Sequence, residues 1–341
     1  MSNLFAPYSD MLEHTLKHEG IFEAQELRFP SAALNFVDIG VIELLPKTPS
    51  QRGVILSAGI HGNETAPIEL LNNLVNDLLN SHCADLERPT LIIFGHPQAM
   101  REGKRFAEFN MNRLFMGQCA RPEYSVSSDA QRAQKLEFAV SDFCARHDVG
   151  EHYDLHTAIR ASEYERFALK PLLKEPQKKA ATAASKSFLS SAGIQALVQQ
   201  NTYASTFSSY TANQFGLESY TLELGKVRAF GQNDLLNYKN TMTALKSLVC
   251  DQSFSTDASE MDYFEVCHEI IVPDESFTLH IEQEQANFGT FKKGVCIWQT
   301  DAQSYIVSHE EEFIIFPNPE VPVGQRAGLM LIKAKTPAEI L

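Results

Sequence analysis

Short apolar runs alternating with helical periodicity predict an α/β protein with an at least partly parallel sheet and a smaller β-rich C-terminal domain. Two observations carry this reading. Up to about residue 250, buried-strand segments such as "GVILSAGI" and "TLIIFG" alternate with amphipathic stretches. Beyond it come "YFEVCHEIIVP", "SFTLHIEQEQ", "GTFKKGVCIWQT", "QSYIVSHEEEFIIF" and "GLMLIKAKT", all short, β-rich and separated by turn residues. The chain therefore divides into residues 1–250 and 251–341, with the junction near "DQSFSTDASEMD".

Taken in order, residues 53–60 are apolar and partly β-branched, as expected of a strand buried on both faces. Thr65 to Asn80 then places Ile68, Leu71, Leu74, Val75, Leu78 and Leu79 at helical spacing. A second buried strand covers 90–95 and stops at "HPQAM". In the helix that follows, from 127 to 147, Ser128 and Gln131 have capping-box spacing. "YDLH" at 153–156 ends another strand, 175–199 reads as helix, 219–224 as strand and 232–250 as helix. Such a sheet is at least partly parallel and binds ligands outside the carboxyl ends of its strands.

The totals bound the function. Hydrophobic residues make up 44% and charged residues 21%, as in well-packed globular proteins. No apolar run approaches the roughly 18 residues of a membrane span. The start, "MSNLFAPYSDMLEH", has neither a basic n-region nor an apolar h-region, so no secretory signal is expected. Six scattered cysteines without a CxxC suit reduced thiols in a cytoplasm. With 29 Lys plus Arg against 43 Asp plus Glu, the net charge is −14, a field that opposes nucleic acid and anionic lipid.

Three predicted strands end in residues of chemical interest: His61 with Glu64, His156, and Glu223. A catalytic zinc site often combines two His with one Glu and keeps a fourth position for water. His61 and Glu64 lie three apart where strand turns into helix, and the glycine between them suits a tight turn. His156 is the best third ligand, and Asp154, on the same strand face, suits an outer carboxylate that orients it. His96 follows a strand end and is expected near the pocket, with no mark of a ligand. Read alone, Glu223 is better taken as a solvated strand-end acid.

The segments "GIHGNE", "GKRFAEFNMNRLF", "DLHT" and "YTLELG" occur in an order and spacing that resemble the aspartoacylase/succinylglutamate desuccinylase family, the deacylase branch of the zinc carboxypeptidase fold. The resemblance runs over about residues 50–240, and the β-rich tail fits the family's additional domain. It implies a zinc-carboxypeptidase-like mixed sheet and one Zn2+ per chain, held by His61, Glu64 and His156. It implies Glu223 as general base and then general acid, and Arg105 as the group that polarises the scissile carbonyl. Asn112 and Arg113 would hold a substrate carboxylate. The sequence departs from the family's common pattern at His96-Pro97, where Asn-Pro is usual, and at Asn110, where Asp is frequent.

The implied activity is zinc-dependent hydrolysis of N-succinyl-L-glutamate to succinate and L-glutamate, in the arginine succinyltransferase route. The alternative is a deacylase of another N-acyl amino acid; a carboxypeptidase and a non-catalytic binding module are further readings. Either deacylase takes a small anionic N-acyl amino acid as partner. An acidic protein must bind such a substrate through local cations. Arg101, Lys104, Arg105 and Arg113 lie within thirteen positions, with Arg160, Arg166, Lys226 and Arg228 further on.

Overall fold

A computed structural model describes residues 11–17, 25–49, 51–174, 182–254 and 261–334. The strands are β1 (Gln25–Arg28), β2 (Ala32–Asp38), β3 (Val41–Pro46), β4 (Gly53–Ala58), β5 (Thr90–Phe94), β6 (Val149–Ala158), β7 (Arg166–Lys170), β8 (Ala196–Gln199) and β9 (Glu218–Lys226). Seven more follow: β10 (Asp262–Ile271), β11 (Thr278–Leu279), β12 (Gly289–Lys292), β13 (Cys296–Gln299), β14 (Ser304–Ile306), β15 (Glu311–Ile315) and β16 (Arg326–Lys333). The helices are α1 (Met11–Lys17), α2 (Thr65–Asn80), α3 (Pro97–Glu102), α4 (Ser128–Arg146), α5 (Ala183–Ser191), α6 (Phe207–Phe215) and α7 (Lys239–Val249).

Thirteen strands form one mixed sheet in the order β1-β2-β3-β5-β4-β6-β9-β7-β8-β10-β16-β15-β12. Its centre, β5-β4-β6-β9, is parallel, and β4 and β5 are buried along their whole length. That burial is what their unbroken apolar runs require. The apolar stripe of α2 packs on one face with α5 and α7, and α4 and α6 cover the other. All six apolar positions read from its period are buried. The β-rich tail is joined to the rest through β8, which pairs in parallel with β10; β11, β13 and β14 form a separate small sheet. No described helix is long and apolar enough to cross a membrane.

Several local readings are corrected. Within 175–199, residues 175–181 lie outside the described segments, and helix is confined to α5. Gly193, at φ 83°, breaks the helix, and the short apolar run after it enters the sheet as β8. Helix α7 starts only at Lys239, after a 3-10 turn over Leu235–Tyr238 capped by Asp234. The cap of α4 is Ser127, whose Oγ accepts from Ala130 N at 3.1 Å, and not Ser128 paired with Gln131. Strands β1–β3 and β7 and helix α6 were not anticipated. Their segments are short or mix polar and apolar residues without a sustained period.

Candidate active site

The parallel centre of the sheet delivers the site. Strand β4 ends just before His61 and Glu64, β6 carries His156, and β9 carries Glu223, the register partner of His156. Residue Gly59 makes the left-handed turn out of β4, at φ 72°. Gly62 serves differently from the expectation. A Cβ there would lie 2.3 Å from the backbone of Ala99 and Met100, so it admits the close approach of α3 rather than a special turn.

One donor atom each from His61, Glu64 and His156 lies within 4.8 Å of the others, and all three residues are buried. His61 Nδ1 is 2.8 Å from Glu64 Oε1, and His156 Nδ1 is 2.8 Å from Glu64 Oε2. The outward nitrogens are held from behind. Asn110 Oδ1 already accepts from Asn112 N, so it is an acceptor, and His61 Nε2–H donates to it at 2.9 Å. His156 Nε2–H donates to Asp154 Oδ2 at 2.9 Å. Asp154 Oδ1 takes the Ser57 hydroxyl at 2.6 Å, so Ser57 Oγ accepts from His152 Nε2–H, and His152 Nδ1 accepts from Thr211 Oγ1. A carboxylate that can only accept thereby orients the whole buried chain toward the ligand.

These donors fit a metal ion. With His61 Nε2 carrying the proton, its Nδ1 lone pair faces a carboxylate oxygen at 2.8 Å, a contact that only positive charge between them makes favourable. Burial and Arg105 push the His61 pKa down to about 4. For His156 burial works the same way, but Asp154 and Glu64 outweigh it and push the imidazole well above its usual range. Burial penalises the Glu64 carboxylate, yet His61 and His156 hold its pKa well below the ordinary value. The cluster is thus a candidate cation site.

Glu223 is buried beside it, and its Oε2 has no protein partner among the described residues. Burial, then the charge of Glu64, push its pKa up to about 7, the poise of a group that exchanges protons near neutrality. Arg105 donates to Glu64 Oε1 at 2.6 Å, while Asn112 Oδ1 accepts from Phe207 N at the start of α6. Arg113 donates to the Asn112 carbonyl at 2.8 Å. Glu223, Arg105, Asn112 and Arg113 line one cavity with His61, Glu64 and His156, of roughly 440 Å³, within the range of small-ligand pockets.

The loop that carries Arg105 and Asn110 is pinned from outside the cavity. Asp129, at the start of α4, accepts from the backbone N–H groups of Ala107, Glu108 and Phe109 and from His96 Nε2–H. His96, expected at the pocket, does not line it; it caps α3 and supports Asp129. Of the further cations noted in the sequence, only Arg160 reaches the cavity. Arg326 and Asn287 also line it; both come from the β-rich tail, and no local motif marks them. A second group of metal-ligating type, Cys267, His309 and Glu312, is otherwise engaged. Glu312 accepts from the backbone of Ser308 and His309 and from the Tyr305 hydroxyl, which fixes a turn.

Fold and site together define a mixed α/β protein with a buried His–Glu–His centre opening on an arginine-lined cavity. Residues 50–249 match the succinylglutamate desuccinylase/aspartoacylase catalytic domain, and residues 259–334 match the AstE/AspA barrel-sandwich hybrid domain. The chain belongs to the succinylglutamate desuccinylase/aspartoacylase family. It is 41% identical over 301 residues to the succinylglutamate desuccinylase of Serratia proteamaculans, covering 86% of this chain and 89% of that one. Its identity to the Ectopseudomonas mendocina protein of the same name is 40% over 332 residues, covering 94% and 96%. The crystal structure of the Vibrio parahaemolyticus protein of that name superimposes with a TM-score of 0.88 at 30% identity, covering 96% of each chain.

Proposed function

We propose that this protein is a zinc-dependent amidohydrolase that cleaves N-succinyl-L-glutamate to succinate and L-glutamate. The observation that carries the reading is the His61–Glu64–His156 cluster beside Glu223, in a cavity whose guanidinium groups outnumber their carboxylate partners. The names of the curated relatives support the substrate. We assign His61, Glu64 and His156 as the ligands of one zinc ion. Zinc held there supplies Lewis-acid polarisation of the scissile carbonyl and a lowered pKa for an adjacent water.

The chain's own residues do the rest. Glu223 takes the proton from the attacking water as the C–O bond forms and returns it to the amide nitrogen as the C–N bond breaks. Its unpartnered Oε2 is free to hold that proton. Arg105, fixed by Glu64, adds a positive charge near the developing oxyanion. Asn112 and Arg113 hold a substrate carboxylate, Arg113 by its planar fork. We further propose that residues 1–250 form the hydrolase domain and 251–341 a β-rich one. A cytoplasmic setting is supported by six cysteines without a disulfide.

Zinc-loaded and chelator-stripped protein should be compared on a panel of substrates, with metal analysis of the purified protein. One zinc per chain is expected, together with activity that chelation removes and zinc restores. N-Succinyl-L-glutamate should exceed N-acetyl-L-glutamate in kcat/KM by at least about tenfold, since the second lacks the distal carboxylate. Equal rates would favour the alternative, a deacylase acting more broadly on N-acyl amino acids.

A further inference from the structure

The cationic side of the cavity is assembled from both parts of the chain, and its charges do not balance internally. Arg105 is offset by Glu64, and Arg160 donates to the carbonyls of Gln283 and Gln285. Arg113 has no carboxylate within ion-pair distance among the described residues; its hydrogen-bond partner is the Asn112 carbonyl. Arg326, on β16, meets Glu269 loosely, at 3.6 Å. Glu320 lines the cavity too, but pairs with neither guanidinium. Burial, and next the charge of Arg326, push the Arg113 pKa down to about 9, and Glu269 is the acid that opposes the shift in both arginines. Of these two guanidiniums, only Arg326 has a carboxylate within ion-pair distance among the described residues.

Asn287 adds a second observation. Its residue exposure is 0%, and its Oδ1 accepts from Phe316 N at 2.7 Å, which fixes the amide orientation. The residue lines the cavity, and its buried Nδ2 has no partner among the described residues. Buried donors without acceptors are rare and costly, and a cavity that combines one with the carboxylate-free Arg113 and the loosely paired Arg326 is suited to a planar anion.

We propose that Arg326 and Asn287, both from the β-rich tail, complete with Arg113 a subsite that binds a carboxylate of the substrate. The proposal rests on the reading of the substrate as a small polycarboxylate N-acyl amino acid. It makes the tail part of the binding site: a protein lacking those two side chains would keep its metal ligands and Glu223 and yet capture substrate poorly.

The test uses the full-length protein and the variants Arg326→Gln, Arg326→Lys and Asn287→Asp. Arg326→Gln should raise KM for N-succinyl-L-glutamate by about tenfold or more while kcat stays within about threefold, at unchanged zinc content. Arg326→Lys should recover part of the loss, since a point charge replaces the fork. Asn287→Asp keeps the acceptor for Phe316 and places a negative charge beside the incoming carboxylate, so it should raise KM as well. Unchanged KM in both Arg326→Gln and Asn287→Asp, or a loss confined to kcat, overturns the proposal. Calorimetric binding of succinate and of L-glutamate to parent and variants separates this proposal from the catalytic reading. If the parent fails to hydrolyse N-succinyl-L-glutamate, weaker binding of either probe by the variants still supports the subsite, and equal binding rejects it.

Discussion

His61 and His156 are the same side chain in two different settings. The first is backed by the neutral amide of Asn110, the second by the carboxylate of Asp154. Asp154 was legible in advance because strand periodicity places residues 154 and 156 on one face. Asn110 was visible only as a departure from a family pattern; its part in holding His61 follows from a loop conformation that no local period encodes. Glu223 was the more ambiguous residue, since an acid at a strand end is ordinarily solvated. The structure buries it, so it is not a solvated acid. Replacing it with Gln keeps the shape and removes the base, so zinc content and fold should be retained while kcat falls about 10²- to 10⁴-fold. A rate within a few-fold of the parent, measured on the zinc-loaded variant, would reject the assigned role.

Among elements, the loop between α3 and α4 shows how a site residue is placed from a distance. Asp129 is buried, and burial opposes its charge, but His96 and three consecutive backbone N–H groups overcome that and hold its pKa at about 2. The N-terminal turn of α4 favours the same charge. Because the folded-state value is depressed below the ordinary 3.8, the tie stabilises fully above about pH 4 and is lost as pH falls through about 2. Comparing the parent with Asp129→Asn in urea should show a gap of about 2 kcal/mol at pH 6 that narrows steadily in acid. A gap independent of pH would show that the charge of Asp129 does not stabilise the loop.

Long, strongly periodic elements were readable at this scale. Thr65–Asn80 emerges as α2 with the residues its pattern indicated. Strand β8 was absorbed into a helix because four residues carry too little period to separate from an adjoining apolar helix. Strands β1–β3 escaped for a related reason: they pair with one another in hairpin fashion at the sheet's edge, and only β3 meets the buried centre.

For the molecule as a whole, composition indicated an anionic protein, in which an anionic substrate would need local cations; the cavity is lined by Arg105, Arg113, Arg160 and Arg326. Composition could not indicate that the tail would close over it. Arg326 and Asn287 stand more than sixty positions beyond Glu223, and only the chain's return through β10 and β16 brings them to the cavity. Such contacts are set by topology, and the local pattern of a single sequence carries no record of them.

The continuous sheet has a mechanical consequence. The strands bearing His156 and Glu223 and the strand bearing Arg326 belong to one hydrogen-bonded ladder, bridged by β7, β8 and β10. Swinging the two walls apart would shear the ladder and sever the pairs between β8 and β10, so the described strands form a plate that resists such a motion. Opening or closing the cavity by relative movement of these two walls is therefore not expected. Small-angle scattering of the zinc-loaded protein should give the same radius of gyration with and without saturating succinate and L-glutamate. A clear contraction on binding would mean that the plate bends after all.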